Sequence, residues 1–244
     1  MREGKDCVYD ATNLNARRRM NFLNFLRNSN VSCECECEIV LCPVDIAFCR
    51  QKTRQRQVSK EVIERQVSQF QVPAYYEGWD SISVFCGARF SFNIFEKFGS
   101  TPHDNSHHTL SIEEHMRKAA HLCAEKTYED FVIEAAALHD VGKLYTKVFC
   151  DKKGNPTSEA HFYSHENVGV YLYLLYAYSF DSMIKIEKYG AAKDDKRLDT
   201  AFLIQYHMRH YLCDEASMKK FYQKIGPKMA CRLRLIERCD EEAH

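Results

Sequence analysis

With 244 residues, 45% hydrophobic and 28% charged, the chain has ordinary globular composition and room for one large domain or two modest ones. Its formal net charge of zero excludes a global basic field that would gather nucleic acid non-specifically, so any such binding rests on local patches. The opening MREGKDCVYD has no apolar core of a signal peptide, and the longest apolar run, VGVYLYLLYAYSF (168–180), is too short for a bilayer; the expectation is a soluble cytoplasmic protein whose 12 cysteines stay reduced.

In chain order, Cys7–Asp10 reads as a short strand ending in DATN (10–13). From Asn15 to Arg27, apolar Met20, Phe22, Leu23, Phe25 and Leu26 predict a helix, and its Arg17, Arg18 and Arg19 read as a solvated face. A strand over Glu36–Cys42 stops at Pro43, a short helix follows over Val44–Arg50, and a clearer one spans Ser59–Phe70. PAYYEGWDSISVF (73–85) reads as a turn and a strand, so the whole is an α/β layer of about three strands. In SCECECE (32–38), strand geometry sets Cys33, Cys35 and Cys37 on one face and Glu34, Glu36 and Glu38 on the other. Without C-x2-C spacing, that pattern predicts a half-buried strand and no zinc site.

The polar GSTPHDNSHH (99–108) breaks the pattern. Beyond it helices are predicted over 111–125, 128–140, 164–179, 197–209, 214–225 and 228–243, punctuated by Gly142, Gly154 with Pro156, Gly190 and Gly226-Pro227. The reading is mainly α: a small incomplete α/β segment over 1–98, a linker over 99–110 and an all-helical domain over 111–244.

HDVGK (139–143) carries the strongest chemical signal. Helical spacing puts His139 on one face with Val132, Ala135 and Ala136, and Asp140 adds a carboxylate beside its imidazole. His115 shares a face with Ile112, Met116, Ala119 and Leu122, and Asp240 with Met229, Leu233 and Ile236. A carboxylate on an apolar face is costly unless it is paired or bound to metal. Singly, each residue has an ordinary structural reading: a core histidine, a cap, an exposed acid.

The ordered set resembles the HD phosphohydrolase superfamily, whose signature is H…HD…D on helices around a divalent metal, and is most similar to the HD domains related to those of bacterial tRNA nucleotidyltransferases. HHTLSIEEHM (107–116), AALHDVGK (136–143), HFYSHENVG (161–169), LIQYHM (203–208) and LIERCDEEAH (235–244) carry the resemblance from about Thr101 to the end. It implies His115, His139, Asp140 and Asp240 as ligands of one metal. Two imidazoles and two carboxylates suit Mn, Fe, Co, Ni or Zn, and suit Mg less. It further implies attack on phosphorus by a metal-activated water, with Asp140 and Lys143 in the catalytic machinery. His165 and His207 match histidines that serve a second metal or contact phosphate in some members; the competing reading is core packing. His107 and His108 read as surface or substrate-edge residues.

VYDATNLNARRRMNFLNFLR (8–27) resembles a strand and helix of P-loop kinases of the polynucleotide kinase and zeta-toxin type, and residues 47–80 resemble their lid and last helix. That resemblance implies anion-binding roles for Arg50, Arg54 and Arg56. No G-x-x-x-x-G-K-[ST] string occurs, so no phosphate cradle is expected and no kinase activity; the segment reads as a remnant or a truncated gene product. The expected function is hydrolysis of a phosphomonoester or cyclic phosphodiester of a nucleotide or of an RNA or DNA end. A 5′-nucleotidase-type small-molecule phosphatase and a non-catalytic RNA-binding scaffold are the alternatives. No membrane partner is expected, and a sheet that cannot bury itself would pack elsewhere or make a homo-oligomer.

Overall fold

Helices dominate the regular structure of the computed structural model, which describes residues 5–29, 32–86, 90–106, 109–179 and 196–244. The mainly α expectation holds. The chain divides into two compact units, Met1–Phe90 with Tyr178–Asp195, and Ser91–Ala177 with Lys196–His244. Among the described residues no helix is long and apolar enough to cross a membrane.

In the first unit, α1 (Ala16–Asn28) starts where the Asn15 side chain accepts a hydrogen bond from Arg18 N at 2.9 Å. Its buried stripe is Ala16, Arg19, Leu23 and Leu26, the three- and four-residue spacing of one helix face. Strand β1 (Glu36–Leu41) is followed by α2 (Val44–Gln51) and α3 (Lys60–Ser68) before β2 (Ser81–Cys86) returns parallel to it. Register runs from Glu36 opposite Ser81 to Leu41 opposite Cys86, with Ile39, Leu41, Ile82 and Val84 buried. Cys33, Cys35 and Cys37 are half-buried while Glu34, Glu36 and Glu38 are exposed, as strand alternation requires. Burial pushes the Cys37 thiol up to about 12.

Two expectations fail here. Cys7–Asp10 is no strand: Val8 is exposed, and Tyr9 instead stacks on Phe22 at 4.4 Å. A strand exists by its ladder, and the two described strands of this unit pair with each other. The arginine run is also not uniformly solvated. Arg17 and Arg18 are exposed, but Arg19 is buried and bonds both carboxylate oxygens of Glu77 at 2.8 Å.

The second unit holds α4 (Ile112–Ala124), α5 (Asp130–Leu138), the single turn α6 (Lys143–Thr146), strands β3 (Lys147–Cys150) and β4 (Pro156–Phe162), and α7 (His165–Ser179). It continues with α8 (Arg197–Tyr206), the turn α9 (Arg209–Leu212), α10 (Glu215–Ile225) and α11 (Pro227–Glu242). Helices α4, α5, α8 and α11 pack on one another around Met116, Val132, Leu203, Ile204, Leu233 and Ile236.

An all-helical reading of this region is incorrect, because β3 and β4 form an antiparallel hairpin between the HDVGK turn and α7. The reason is local. The Asp151 carboxylate accepts from Lys153 N and Asn155 N, both at 2.8 Å, and Gly154 supplies φ +88°, so a tight turn forms where a helix would have continued.

Candidate metal centre

Each helix that carries a site residue is fixed by its own sequence. Ser111 and Glu114 form a reciprocal capping box that starts α4 and sets His115 on its buried face with Ile112, Met116 and Ala119. Helix α5 buries Val132, Ala135 and Ala136, and the chain leaves it through His139 and Asp140. Helix α11 buries Leu233, Ile236 and Asp240 on one side, and His207 closes α8. Gly142 is needed for space: a β-carbon there would lie 2.0 Å from the carbonyl oxygen of His165. This close approach, with Gly169 opposite, seats the first turn of α7 on the HDVGK turn.

The four residues named as one ligand set meet. One donor atom from each of His115, His139, Asp140 and Asp240 falls within 4.8 Å of the others, and all four residues are buried. His115 Nε2 lies 2.8 Å from Asp240 Oδ1, 3.2 Å from His139 Nε2 and 3.6 Å from Asp140 Oδ2. His139 Nε2 lies 3.2 Å from Asp240 Oδ1 and 3.4 Å from Asp140 Oδ2. Ligands at about 2.0–2.1 Å from a first-row metal are separated by about 3.0–3.4 Å along the edges of its polyhedron, so this spacing fits an ion.

A second group shares Asp140. Its Oδ1 lies 3.2 Å from His165 Nε2 and 3.5 Å from His207 Nε2, and the three residues also place donor atoms within 4.8 Å of one another. All three atoms are buried, yet none makes an aligned hydrogen bond. Buried polar atoms that converge without bonding are the arrangement expected where a cation supplies the missing partner.

The imidazole tautomers are set by the backbone. Nδ1 of His139 faces the Ala136 carbonyl at 2.7 Å, Nδ1 of His165 the Phe162 carbonyl at 2.9 Å, and Nδ1 of His207 the Ile204 carbonyl at 2.7 Å. A carbonyl only accepts, so each Nδ1 donates and Nε2 is the nitrogen presented to the site.

Charge is balanced within the cluster. Burial alone would push the His139 imidazole down, but Asp140 and Asp240 outweigh it and hold it up at about 10. The same burial would raise Asp140, and Lys143 with His139 holds it well below the usual carboxylate range; Asp240 is lowered by His139 and His115. A protonated imidazole between two carboxylates occupies the electrostatic position that a divalent ion would take. Burial lowers His207, consistent with a neutral ligand. Lys143 is itself buried, with Nζ 2.6 Å from Asp140 Oδ2.

Arg50, Arg54 and Arg56 lie in the other unit, all exposed, at the end of α2 and in the loop after it; Arg50 Nη1 contacts Cys42 Sγ at 3.9 Å. His107 and His108 lie outside the described residues. Two features at the centre had no counterpart in the sequence reading. One is the double use of Asp140. The other is His103, 1% exposed, whose ring meets those of His115 at 5.7 Å and Phe162 at 6.0 Å edge to face. Burial pushes its imidazole down to about 4. Its signal was available in TPHDNSHH, where a histidine follows proline in a polar run, but nothing local foretold burial.

A family model described as an AAA domain matches residues 1–73, so that segment is similar to P-loop kinase-like proteins, and the match ends before the metal centre. No curated protein and no solved structure matches the chain.

Proposed function

We propose that the second unit is an HD-type metal-dependent phosphohydrolase that cleaves a phosphomonoester or cyclic phosphodiester of a nucleotide or nucleic-acid end. One observation carries this reading: the two oxygens of Asp140 face two separate histidine groups, so a single buried carboxylate joins His115, His139 and Asp240 to His165 and His207. Such a set would hold one or two divalent ions of the Mn, Fe, Co, Ni or Zn type. A cation there polarises a phosphoryl oxygen and makes water acidic enough to attack near neutral pH.

The chain's own residues do the rest. The backbone carbonyls at Ala136, Phe162 and Ile204 hold three imidazoles in the ligating tautomer. Lys143, anchored against Asp140, brings an ammonium to the centre that neutralises charge growing on the non-bridging oxygens. The low-dielectric surroundings strengthen both effects.

The kinase-like segment supports the nucleotide part of the reading by analogy alone. Exposed Arg50, Arg54 and Arg56 are assigned to an anionic patch for such substrates, and charge reversal at Arg54 and Arg56 should weaken RNA or nucleotide affinity. With no G-x-x-x-x-G-K-[ST] string in these 244 residues, no phosphoryl transfer from ATP is assigned to the segment.

Metal analysis of the purified chain, with a screen of aryl phosphate, nucleoside 2′-, 3′- and 5′-monophosphates and 2′,3′-cyclic nucleotides, tests the proposal. Turnover should need a divalent ion and vanish in His139→Ala and Asp140→Ala. Wild-type rates in both variants would refute it. Activity on free 5′-monophosphates with none on oligonucleotide ends would select the small-molecule nucleotidase.

A further inference from the structure

The first unit holds a sulfur pair that the phosphohydrolase reading does not use. Cys33 Sγ and Cys35 Sγ lie 3.8 Å apart, both half-buried, on the face of the SCECECE stretch opposite its glutamates. Cys37 continues that face, but it sits inside the ladder opposite Ile82, and its charged neighbours are Arg19, Glu77 and Glu38. Cys123 and Cys239, by contrast, are fully buried and closed to a dissolved oxidant.

The two halves of the pair are held differently. Asp80 brackets Cys35: its carboxylate accepts from Cys35 N at 2.6 Å, and its own N donates to Cys35 O at 2.9 Å. Cys33 precedes β1, which begins at Glu36, so the β1–β2 register does not fix it. One sulfur is anchored, and the other sits on chain that can close the remaining gap. Burial, the Cys33 thiol and Asp80 push the Cys35 thiol up to about 11, with Arg27 opposing. Cys35 therefore keeps its proton at neutral pH, and attack falls to Cys33.

We propose that Cys33 and Cys35 form a thiol–disulfide exchange site, which takes a small-molecule disulfide as oxidant and closes to an intrachain disulfide. The Cys33 sulfur, as thiolate, attacks one sulfur of the small disulfide; a new S–S bond forms, the old one breaks, and a small thiolate leaves. Cys35 gives its proton to that thiolate, and its sulfur attacks the Cys33 sulfur. The second small thiolate departs and takes up the proton that Cys33 released. Two protein thiols are thus oxidised by two electrons while the small disulfide is reduced to two thiols. Extended backbone spaces alternate Cα atoms at about 6.4–6.8 Å, the long end of what a disulfide spans. The closed form is strained and readily reopened, which suits exchange and not a permanent staple.

The test equilibrates the full chain with oxidised and reduced glutathione at neutral pH, alkylates the remaining thiols and cleaves after glutamate. Cuts after Glu34, Glu36 and Glu38 place Cys33, Cys35 and Cys37 on separate peptides, so a bond between any two appears as a linked pair. The Cys33 and Cys35 peptides should be linked, and a roughly tenfold excess of reduced glutathione should part them. Cys35→Ser should trap a glutathione adduct on Cys33, Cys33→Ser should leave Cys35 free of one, and Cys37→Ser should link as wild type does. No linkage in wild type, a Cys35–Cys37 linkage, or a linkage that forms only in denaturant would each overturn the assignment. The wild-type map decides even where a serine variant fails to fold. None of these outcomes depends on the metal centre, so the phosphohydrolase reading stands or falls separately.

Discussion

Lys143 Nζ sits 2.6 Å from Asp140 Oδ2, three residues back along the chain, with both side chains buried. Asp140 is therefore neutralised from one side by an ammonium and from the others by histidine nitrogens at 3.2–3.6 Å. Removing one partner of a buried pair leaves an uncompensated charge and typically costs about 3–5 kcal/mol. Lys143→Met should show that loss in the metal-stripped chain by chemical denaturation, and much less of it once a divalent ion is bound. Turnover in the loaded variant should still drop about 10²-fold, because the lost ammonium acts on phosphate charge. Equal destabilisation with and without metal would contradict this account.

His139 makes the stripped protein pH-sensitive in a defined sense. Its imidazole is raised from 6.5 to about 10, so its contribution to stability is complete below pH 6.5 and lost as pH climbs towards 10. Asp140 and Asp240, held low, contribute above the ordinary carboxylate range and keep that contribution well into acid. Thermal midpoints in chelator should therefore decline between pH 6.5 and 10, and the loaded protein, with neutral His139 on the ion, should lack that decline. Metal binding near pH 7 should release a proton, visible as a buffer-dependent calorimetric heat.

Gly142→Ala tests how the two donor groups are joined. Its β-carbon would meet the His165 carbonyl at 2.0 Å, backbone against backbone, so α7 must shift. Overpacking of this kind costs about 1–3 kcal/mol or more. Because His165 begins α7 whereas His115, His139 and Asp240 do not depend on that contact, the variant should keep its first ion and lose the second. Metal stoichiometry decides it; full loss of both ions would mean the groups are not separable.

What the sequence disclosed follows from what is local. The spans of α4, α5, α7, α8, α10 and α11 were legible because their apolar spacing, caps and glycines act within a few residues. The meeting of His115, His139, Asp140 and Asp240 was legible through the resemblance of their order to the H…HD…D pattern, and composition alone would not have given it. The β3–β4 hairpin was missed although Asp151, Gly154 and Asn155 announced its turn, since short strands with mixed faces carry little period-two signal. His103 was missed because the segment around it is held by distant partners of its neighbours, Glu113 on Thr101 and Lys147 on Asp104, 12 and 43 residues apart in sequence.

Arg19 poses the same problem in the first unit and gives the last prediction. Within a triple-arginine run it looked solvated, yet its guanidinium forms two 2.8 Å bonds with Glu77 and donates to the carbonyls of Asn13 and Leu14 at 3.0 and 3.1 Å. Trp79 Nε1 completes Glu77 at 3.1 Å. The forked geometry matches a carboxylate as lysine cannot, so Arg19→Lys should already destabilise, and Arg19→Met should cost about 3–5 kcal/mol. Arg17→Ala and Arg18→Ala, both exposed, should stay within about 0.5 kcal/mol of wild type. Limited proteolysis should then cut the first unit of Arg19→Met selectively, while bound metal per chain stays at the wild-type value. Parallel loss of metal would show that folding of the metal centre depends on this ion pair.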